Sequence, residues 1–341
     1  MTNRESILDH EAIDHFVSDV LKQFLPNARY ASAGYFGPAE ATRASQINMD
    51  LADSNGINVG SQYFYNRKYS FIHYTSVQVL LNILKEKKIR LYNLYGMDDK
   101  EEFEIPLNYS NKKLTDYEIK EIKKRIFCFS MCQTKLETKE ESLPQWRSYA
   151  QDGQGVGIVF SFDKAFAKDW VHFMLSKVYY HAKSLDTFLK IEDLYNDFKL
   201  KYDLTITNFD EMFYKYFAFH KSKIYSSEKE VRLIYFQGFH HHNEPSIKAD
   251  VNRSNKKTSY IELELEWSWD EKTKEFIQKQ GIEPKNVRPI VSIDKIVFGY
   301  RLSNSTKWDL VEVCNEHLKK FTRKPVIEDS TLLSHFKDKP Q

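Results

Sequence analysis

The chain has 341 residues, of which 41% are hydrophobic and 29% charged, and its 50 basic and 48 acidic groups nearly cancel. This composition is typical of a globular protein and argues against wholesale disorder. The charge balance excludes a global attraction to nucleic acid, which would need a local basic patch. Cys128, Cys132 and Cys314 are an odd and sparse set that does not suit a disulfide framework.

Membrane and export signals do not stand out in the sequence. No apolar stretch approaches the roughly 18 residues of a membrane helix, and the polar Met1–Asp9 does not resemble a signal peptide. We therefore expect a cytoplasmic protein without membrane contact. The length and patterning predict an N-terminal helical arm and linker over 1–60, one main domain over 61–325 and a polar tail over 326–341.

The N-terminal region begins with a strong helical pattern. Residues 10–25 predict an amphipathic helix that Pro26 ends. Its apolar residues recur at three- and four-residue spacing: Ile13, Phe16, Val17, Val20, Leu21 and Phe24. Residues 27–60 show a weaker pattern and are interpreted as an arm, a linker or an unplaced helix. The amphipathic helix either packs on the main domain or contacts a partner or a second copy of the chain.

The main domain opens with a strand, a helix and a second strand. Residues 69–74 and 89–92 predict the strands. Thr75 and Gln78 stand at the spacing of a capping box, which predicts that the helix begins after Thr75. The apolar face of this helix consists of Val77, Leu80, Leu81 and Leu84.

Further elements follow from apolar runs and periodicity. Strands are predicted over 126–132, 156–162, 231–236, 260–266 and 293–298. Helices are predicted over 115–124, 185–200, 209–221 and 308–318, and a loop over 98–104. These elements predict an α+β fold in which helices flank a mixed, largely antiparallel sheet.

Chemistry-bearing residues fall into motifs that follow one another along the chain. The motifs are His73-Tyr74-Thr75-Ser76, the acidic segment from Asp98 to Phe103-Glu104, Phe127-Cys128-Phe129-Ser130, Trp146-Arg147-Ser148-Tyr149 leading to Gly155-Val156, and Glu228-Lys229-Glu230-Val231-Arg232. Over residues 69–300 this order resembles a bacterial family of domains of unknown function, number 2971, often met in or near phage-defence loci. The family's acidic segment usually reads Asn-Asp-Pro, whereas this chain has Met97-Asp98-Asp99, so no role is assigned to that loop.

The same order also resembles the ADP-ribosyltransferase fold. That fold places a His or Arg on its first strand, a Ser or Tyr on a second strand, and a Glu before a later strand. The matching positions are His73, either Ser130 or Tyr149, and either Glu228 or Glu230. The resemblance implies an ADP-ribosyltransferase-like effector of bacterial defence or toxicity, with NAD as its substrate and no metal.

That chemistry explains why these residue types are needed. Loss of nicotinamide from NAD develops an oxocarbenium-like cation on the ribose, which a fixed carboxylate stabilises. The resemblance implies that Glu230 or Glu228 is this carboxylate. Because residues two apart on a strand point to one face, both would face the same site.

The other site residues would hold the dinucleotide. The resemblance implies that His73, beside Tyr74 and Thr75, binds the adenosine-side ribose, and that Tyr149 stacks on the nicotinamide ring. The pyrophosphate would meet an arginine. Two arginines qualify, and they are Arg232 and Arg90. The acceptor would be a nucleic acid or a protein, with a phage trigger or a cognate regulator as a further partner.

Two other functions remain open at this stage. A nuclease or nucleic-acid-binding effector would use the basic loop Asn252–Lys257, with His73 and the glutamates as general acid and base. A non-catalytic sensor would bind a nucleotide or a phage protein in the same cleft. A zinc site at His240-His241-His242 is not favoured, because consecutive histidines on an extended chain point to opposite faces.

Overall fold

Strands rich in Ile, Val and Phe form the centre of the molecule in a computed structural model of the chain. It describes residues 10–36, 46–65, 70–97, 103–109, 114–133, 141–163, 167–181, 183, 185–238, 245–251, 257–266 and 288–336. The strands are β1 (Tyr30–Phe36), β2 (Gln46–Leu51), β3 (Phe71–Thr75), β4 (Lys88–Asn93), β5 (Ile126–Gln133), β6 (Val156–Asp163), β7 (Phe173–Lys177), β8 (Thr205–Ile206), β9 (Glu230–Phe236), β10 (Lys248–Val251), β11 (Lys257–Glu264), β12 (Ile290–Phe298) and β13 (Val326–Asp329).

Helices cover both sides of this centre. They are α1 (10–23), α2 (Val77–Glu86), α3 (Glu104–Tyr109), α4 (Asp116–Arg125), α5 (Leu143–Tyr149), α6 (Asp186–Tyr202), α7 (Glu211–Phe217), α8 (Asn304–Leu318) and α9 (Leu333–Phe336). The first of them changes from α geometry to π geometry over Phe16–Val20 and to 3-10 geometry over Leu21–Gln23. Among the described residues, no helix is long and apolar enough to cross a bilayer.

The main sheet divides at its central strand. Its order is β10-β11-β4-β5-β3-β6-β12-β13, and β9 pairs with both β5 and β7. One edge of β5 pairs with β9 over Ile126–Cys132. On the other edge, β4 pairs with Phe127 and Cys128, whereas β3 pairs with Cys132 and Gln133. The sheet is therefore open between β4 and β3, beside the middle of β5.

The N-terminal region belongs to the core. All six apolar residues of the predicted helix are buried, and Phe16 contacts the rings of Tyr195, Phe198 and Phe209. Of the two alternatives for this helix, the structure has the first, because its apolar face packs on the main domain. The expected arm over 27–60 is wrong, because β1 and β2 form a separate small sheet with β8. Strand β2 carries a period-two pattern, with Ile47 and Met49 buried.

The predicted α+β fold, with a largely antiparallel sheet and flanking helices, is confirmed. One detail differs at the start of α2, where Ser76 rather than Thr75 caps the helix. The Ser76 hydroxyl accepts from the Val79 N–H at 3.3 Å, while Thr75 is still paired in β3. The polar tail predicted from 326 is also wrong at its start, because β13 pairs in parallel with β12. A parallel edge strand is a non-local feature that its four residues do not signal.

Several expectations concern residues outside the described part of the chain. These are the N-terminal nine residues, most of the acidic loop (98–102), the histidine run (240–242), the basic loop (252–256) and the last five residues (337–341). The end of the predicted loop at Glu104 begins α3 instead.

Candidate functional site

Two hollows open where the main sheet divides. The first hollow has a volume of about 150 Å³ and is lined by Ile72, His73, Tyr74, Met97, Ser130, Met131, Cys132, Gln145, Tyr149, Lys221, Glu228 and Glu230. The second hollow has a volume of about 500 Å³ and lies between α2, β4 and the β10–β11 hairpin. Because His73, Met97 and Ser130 line both, the two hollows adjoin, and together we call them the cleft.

His73 occupies the gap beside the middle of β5. Its Nδ1 lies 2.9 Å from the carbonyl oxygen of Ser130. A carbonyl oxygen only accepts, so Nδ1 carries the proton and donates. Burial lowers the pKa of His73, although the hydrogen bond to Ser130 opposes this effect. The ring is therefore neutral at pH 7, and its Nε2 is a hydrogen-bond acceptor at the junction of the two hollows.

Glu230 is a buried carboxylate with a fixed orientation. Arg232 donates from Nε at 2.7 Å and from Nη2 at 3.0 Å to its two oxygens. Burial opposes ionisation of Glu230, but the charges of Arg232 and Lys221 and hydrogen bonds from Arg232 and Ser130 hold its pKa below the ordinary value. Ser130 thereby links His73, through its carbonyl, to Glu230, through its hydroxyl. The carboxylate of Glu230 therefore keeps its negative charge although the side chain is buried.

Glu228 does not lie on a strand, contrary to expectation. It ends a 3-10 turn over Lys223–Glu228, and Lys229 follows with a left-handed φ of 47°. Both glutamates line the first hollow because the chain turns at Lys229, and not because of strand alternation. Glu228 accepts from the Tyr149 hydroxyl at 2.6 Å and from Lys221 Nζ at 2.9 Å.

Tyr149 is about half exposed at the mouth of the first hollow, with an exposed fraction of 46%. Burial of its hydroxyl end, together with the hydrogen bond to Glu228, raises the pKa of Tyr149 well above the ordinary value. The phenol is therefore protonated and donates to Glu228. Its ring presents an aromatic face beside the carboxylates.

Lys221 balances the two carboxylates, although no motif in the sequence singles it out. Its Nζ lies 2.9 Å from Glu228 and 3.5 Å from Glu230, and the residue is buried. Lys221 follows α7, and its backbone N–H donates to the carbonyl oxygen of Tyr179 at 3.0 Å. The local sequence does not signal this long-range contact. The lysine and arginine of this cluster therefore compensate the charges of both glutamates.

Arg232 does not face the cleft, which is a correction. Its exposed fraction is 0%, and it donates to Glu230 and to the carbonyl of Ala218 at 2.5 Å. It is thus a structural partner of Glu230 and lies out of reach of a pyrophosphate. Arg90, the alternative, lines the second hollow, where it pairs with Asp250 at 3.3 Å and with Glu86 at 3.5 Å.

The remaining expected residues are distributed between the two hollows. Tyr74 lines the first hollow, Thr75 lines the second, and Ser130 lines both. Cys132 also lines the first hollow, and burial together with the nearby carboxylates raises its pKa to about 12. It is therefore a thiol, which is a poor nucleophile. Cys128 is buried and lines the second hollow.

Helix α5 closes one side of the first hollow. Trp146 is fully buried, packs edge-on against Tyr74 with centroids 5.0 Å apart, and donates its indole N–H to Glu141 at 2.7 Å. Trp146 therefore packs in the protein interior. The same helix places Gln145 at the hollow, with an exposed fraction of 3%. Gln145 was not expected there, because a polar residue before a buried tryptophan is an ordinary feature of sequence.

Comparison with known proteins gives one match. Residues 145–233 match the family model described as "Protein of unknown function (DUF2971)". No curated protein and no solved structure matches the chain. The matched stretch contains α5 and the glutamate turn, whereas His73 and Ser130 lie before it. Over residues 145–233, the chain is therefore similar to the DUF2971 family of proteins of unknown function.

Proposed function

We propose that the cleft binds NAD and transfers its ADP-ribosyl group to an acceptor. One observation carries this proposal, and it is the convergence of four side chains from three separate parts of the chain on one hollow. The four are His73, Tyr149, Glu228 and Glu230. They supply a hydrogen-bond acceptor, an aromatic ring and two carboxylates, which are the groups that cleavage of an N-glycosidic bond needs.

The two hollows suit the two halves of a dinucleotide. The nicotinamide ring would occupy the first hollow beside Tyr149. The second hollow, at about 500 Å³, falls within the roughly 300–1,000 Å³ of small-molecule sites and would hold the adenosine half. His73 Nε2, at the junction, would accept from a ribose hydroxyl, and Arg90 would lie on the pyrophosphate side of the second hollow.

The reaction requires one bond to break and one to form. The bond between ribose C1′ and the pyridine nitrogen breaks, and its electron pair leaves with nicotinamide, which becomes neutral. Glu230, held ionised by Arg232, stabilises the positive charge that develops on the ribose. A nucleophilic atom of the acceptor then bonds to C1′ and loses its proton. Glu228, nearer the mouth, is placed to take that proton.

The acceptor is proposed from chemistry and from the motif resemblance together. A nucleic acid or a protein side chain would reach C1′ through the mouth beside Tyr149, where the cleft is open. The resemblance to a family met near phage-defence loci supports a role in bacterial defence or toxicity, with the modified target either in the phage or in the host.

The charge balance of the first hollow distinguishes this proposal from nuclease activity. Lys221 is the one cation among its lining residues that the structure describes, and it is already paired with both glutamates. A phosphodiester backbone would therefore gain little attraction there, because nucleic-acid affinity depends on uncompensated Lys and Arg. A neutral aromatic leaving group is a better match.

The test is release of nicotinamide from NAD by the purified chain, with and without candidate nucleic acids and proteins. Glu230→Gln should lower the rate by at least about 100-fold, the scale of losing a transition-state charge contact. Glu328→Gln, an exposed carboxylate at the far edge of the sheet, serves as the matched control and should retain full activity. Denaturation curves establish that each variant is folded.

Two outcomes would overturn the proposal. One is the absence of both NAD binding by calorimetry and nicotinamide release with every acceptor. The other is cleavage of RNA or DNA without NAD that is lost in His73→Ala, which would favour the nuclease alternative instead.

A further inference from the structure

An amide with an unpaired oxygen belongs to a residue that lines the first hollow. Gln145 is buried, and its Oε1 has no hydrogen-bond partner within the part of the chain that the structure describes. The neighbouring Trp146 is fully buried and fixed by Tyr74 and Glu141, so α5 cannot easily turn the amide towards solvent. Gln145 also lines the first hollow, so its amide is adjacent to any ligand bound there.

An unpaired buried amide costs stability. Leaving such a group without its hydrogen bonds costs about 1–3 kcal/mol, which a leucine or methionine at the same position would avoid. A ligand that supplies the missing partner would recover this cost on binding. The amide carries both an acceptor and a donor, so the best complement is a group that presents a donor and an acceptor side by side.

The size of the first hollow limits what this group can be attached to. A cavity of about 150 Å³ holds a benzene-sized ring, and the first hollow has a volume of about 150 Å³. Its wall includes Ile72, Met97 and Met131, which suit an apolar ring face. One six-membered aromatic ring with a single polar substituent therefore matches the space.

The charges of the first hollow determine which polar substituent the ring can carry. The first hollow contains Glu228 and Glu230, whose charges Lys221 and Arg232 already compensate. An added carboxylate would find no free cation among these groups and would repel two anions. A neutral carboxamide meets no such repulsion and offers both a donor and an acceptor.

We propose that Gln145 recognises the carboxamide of the nicotinamide ring and so selects NAD over its deamidated, carboxylate-bearing analogue. This inference rests on the proposed function and adds to it a residue that determines specificity. Gln145 is not a catalytic residue here, because it would touch the leaving group away from the reacting carbon.

The experiment compares the dissociation constants of NAD and nicotinic acid adenine dinucleotide for the full chain. The wild-type chain should prefer NAD by about 10-fold to 100-fold, the affinity equivalent of an amide left unpaired. Gln145→Leu should weaken NAD binding and lower this ratio by about 10-fold, while the repulsion of the carboxylate by Glu228 and Glu230 remains. Gln23→Leu, which changes an exposed glutamine of α1, should leave the ratio as in the wild type.

A stability measurement separates recognition from a structural role. Gln145→Leu should unfold at the same denaturant concentration as the wild type or a higher one, because it removes an unpaired polar group. A loss of stability together with an unchanged ratio would show that the amide is structural, and would overturn this inference while leaving NAD cleavage intact. If neither dinucleotide binds to the wild-type chain, the proposed function fails, and this inference fails with it.

Discussion

The N-terminal aromatic layer and the cleft both bury polar groups, but they treat them differently. We use the name N-terminal aromatic layer for α1, the β1–β2–β8 sheet, α6 and α7. Beside α7 of this layer, buried polar groups pair with the 3-10 turn Asn55–Asn58: Tyr216 donates to Asn58 at 2.7 Å, and Asn58 donates to Asn55 at 2.9 Å. Asn48 of β2 is an exception, because its buried Oδ1 has no partner among the described residues. In the cleft, ionised groups are fixed beside a hollow, and Gln145 Oε1 has no partner among the described residues.

This difference separates the region that stabilises the fold from the region that is available for function. Burying polar groups is costly unless they are paired, and the hydrogen bonds that join Tyr216, Asn58 and Asn55 offset that cost within the fold. The cleft brings a neutral imidazole, an ionised carboxylate and an amide to the lining of one hollow, through His73, Glu230 and Gln145. A protein that needed only stability would fill this volume with apolar side chains.

The largest expected effect comes from breaking the cleft's buried ion pair. Arg232→Met should lower the free energy of unfolding by about 3–5 kcal/mol, because it leaves Glu230 buried without its bidentate partner. Chemical denaturation measures this change. Lys295→Met, which breaks a half-exposed pair with Glu328, is the control and should cost at most about 1 kcal/mol. Equal effects of the two substitutions would show that Glu230 is not the tightly held group described above.

A cavity in the N-terminal aromatic layer should lower the free energy of unfolding about as much as Arg232→Met does. Phe16→Ala removes a fully buried ring that contacts Tyr195, Phe198 and Phe209, and should cost about 3–5 kcal/mol. Leu200→Ala, on an exposed position of α6, should change stability by less than about 0.5 kcal/mol. If Phe16→Ala were as mild as Leu200→Ala, α1 would be an arm after all.

A smaller effect should appear as a pH dependence at the boundary of the two regions. Burial, and secondarily the charge of Arg232, lowers the pKa of His220 from 6.5 to about 3. The unfolded chain therefore binds a proton below pH 6.5 that the folded chain does not bind. Stability is fully present above pH 6.5 and falls as the pH falls, by about 2 kcal/mol at pH 5 for this one group.

His220→Gln tests this linkage. The variant should lose about 2 kcal/mol less than the wild type when the pH is lowered from 7 to 5. The amide can still pair with Tyr63, whose hydroxyl lies 2.7 Å from Nε2 of His220. His10→Gln, at an exposed position, should keep the full wild-type slope. An unchanged slope in His220→Gln would contradict the assignment of a neutral His220.

The smallest effect concerns the turn that brings the two glutamates together. Lys229 has a left-handed φ of 47°, which glycine adopts without steric cost. Lys229→Gly should therefore be neutral or stabilise the protein by up to about 1 kcal/mol, without loss of nicotinamide release. A loss of activity in this folded variant would give the Lys229 side chain a role that its position does not suggest.

Local patterns in the sequence anticipated most elements of the main domain, because their signals are local. The helix predicted over 115–124 is observed as Asp116–Arg125, and the strand predicted over 126–132 is observed as Ile126–Gln133. Strands β1 and β7 were not predicted. Strand β1 is rich in small residues, and β7 is short, so its place is decided by its pairing with β9.

The site was anticipated in part, for a similar reason. Motif order drew attention to His73, Tyr149 and the two glutamates, which the fold brings to one hollow. Lys221 and Gln145 carry no motif, and only the tertiary fold places them at the same hollow. The expected strand geometry of the glutamates failed because a left-handed residue separates them, and such a conformation is not signalled by a lysine.

The most direct test of the central claim is a crystal structure of the Glu230→Gln variant soaked with NAD. Our account predicts nicotinamide in the first hollow with its carboxamide at Gln145, a ribose hydroxyl at His73, and the adenosine half in the second hollow. Density for NAD elsewhere on the molecule would contradict the account. So would an empty cleft at an NAD concentration that saturates the wild-type chain in solution.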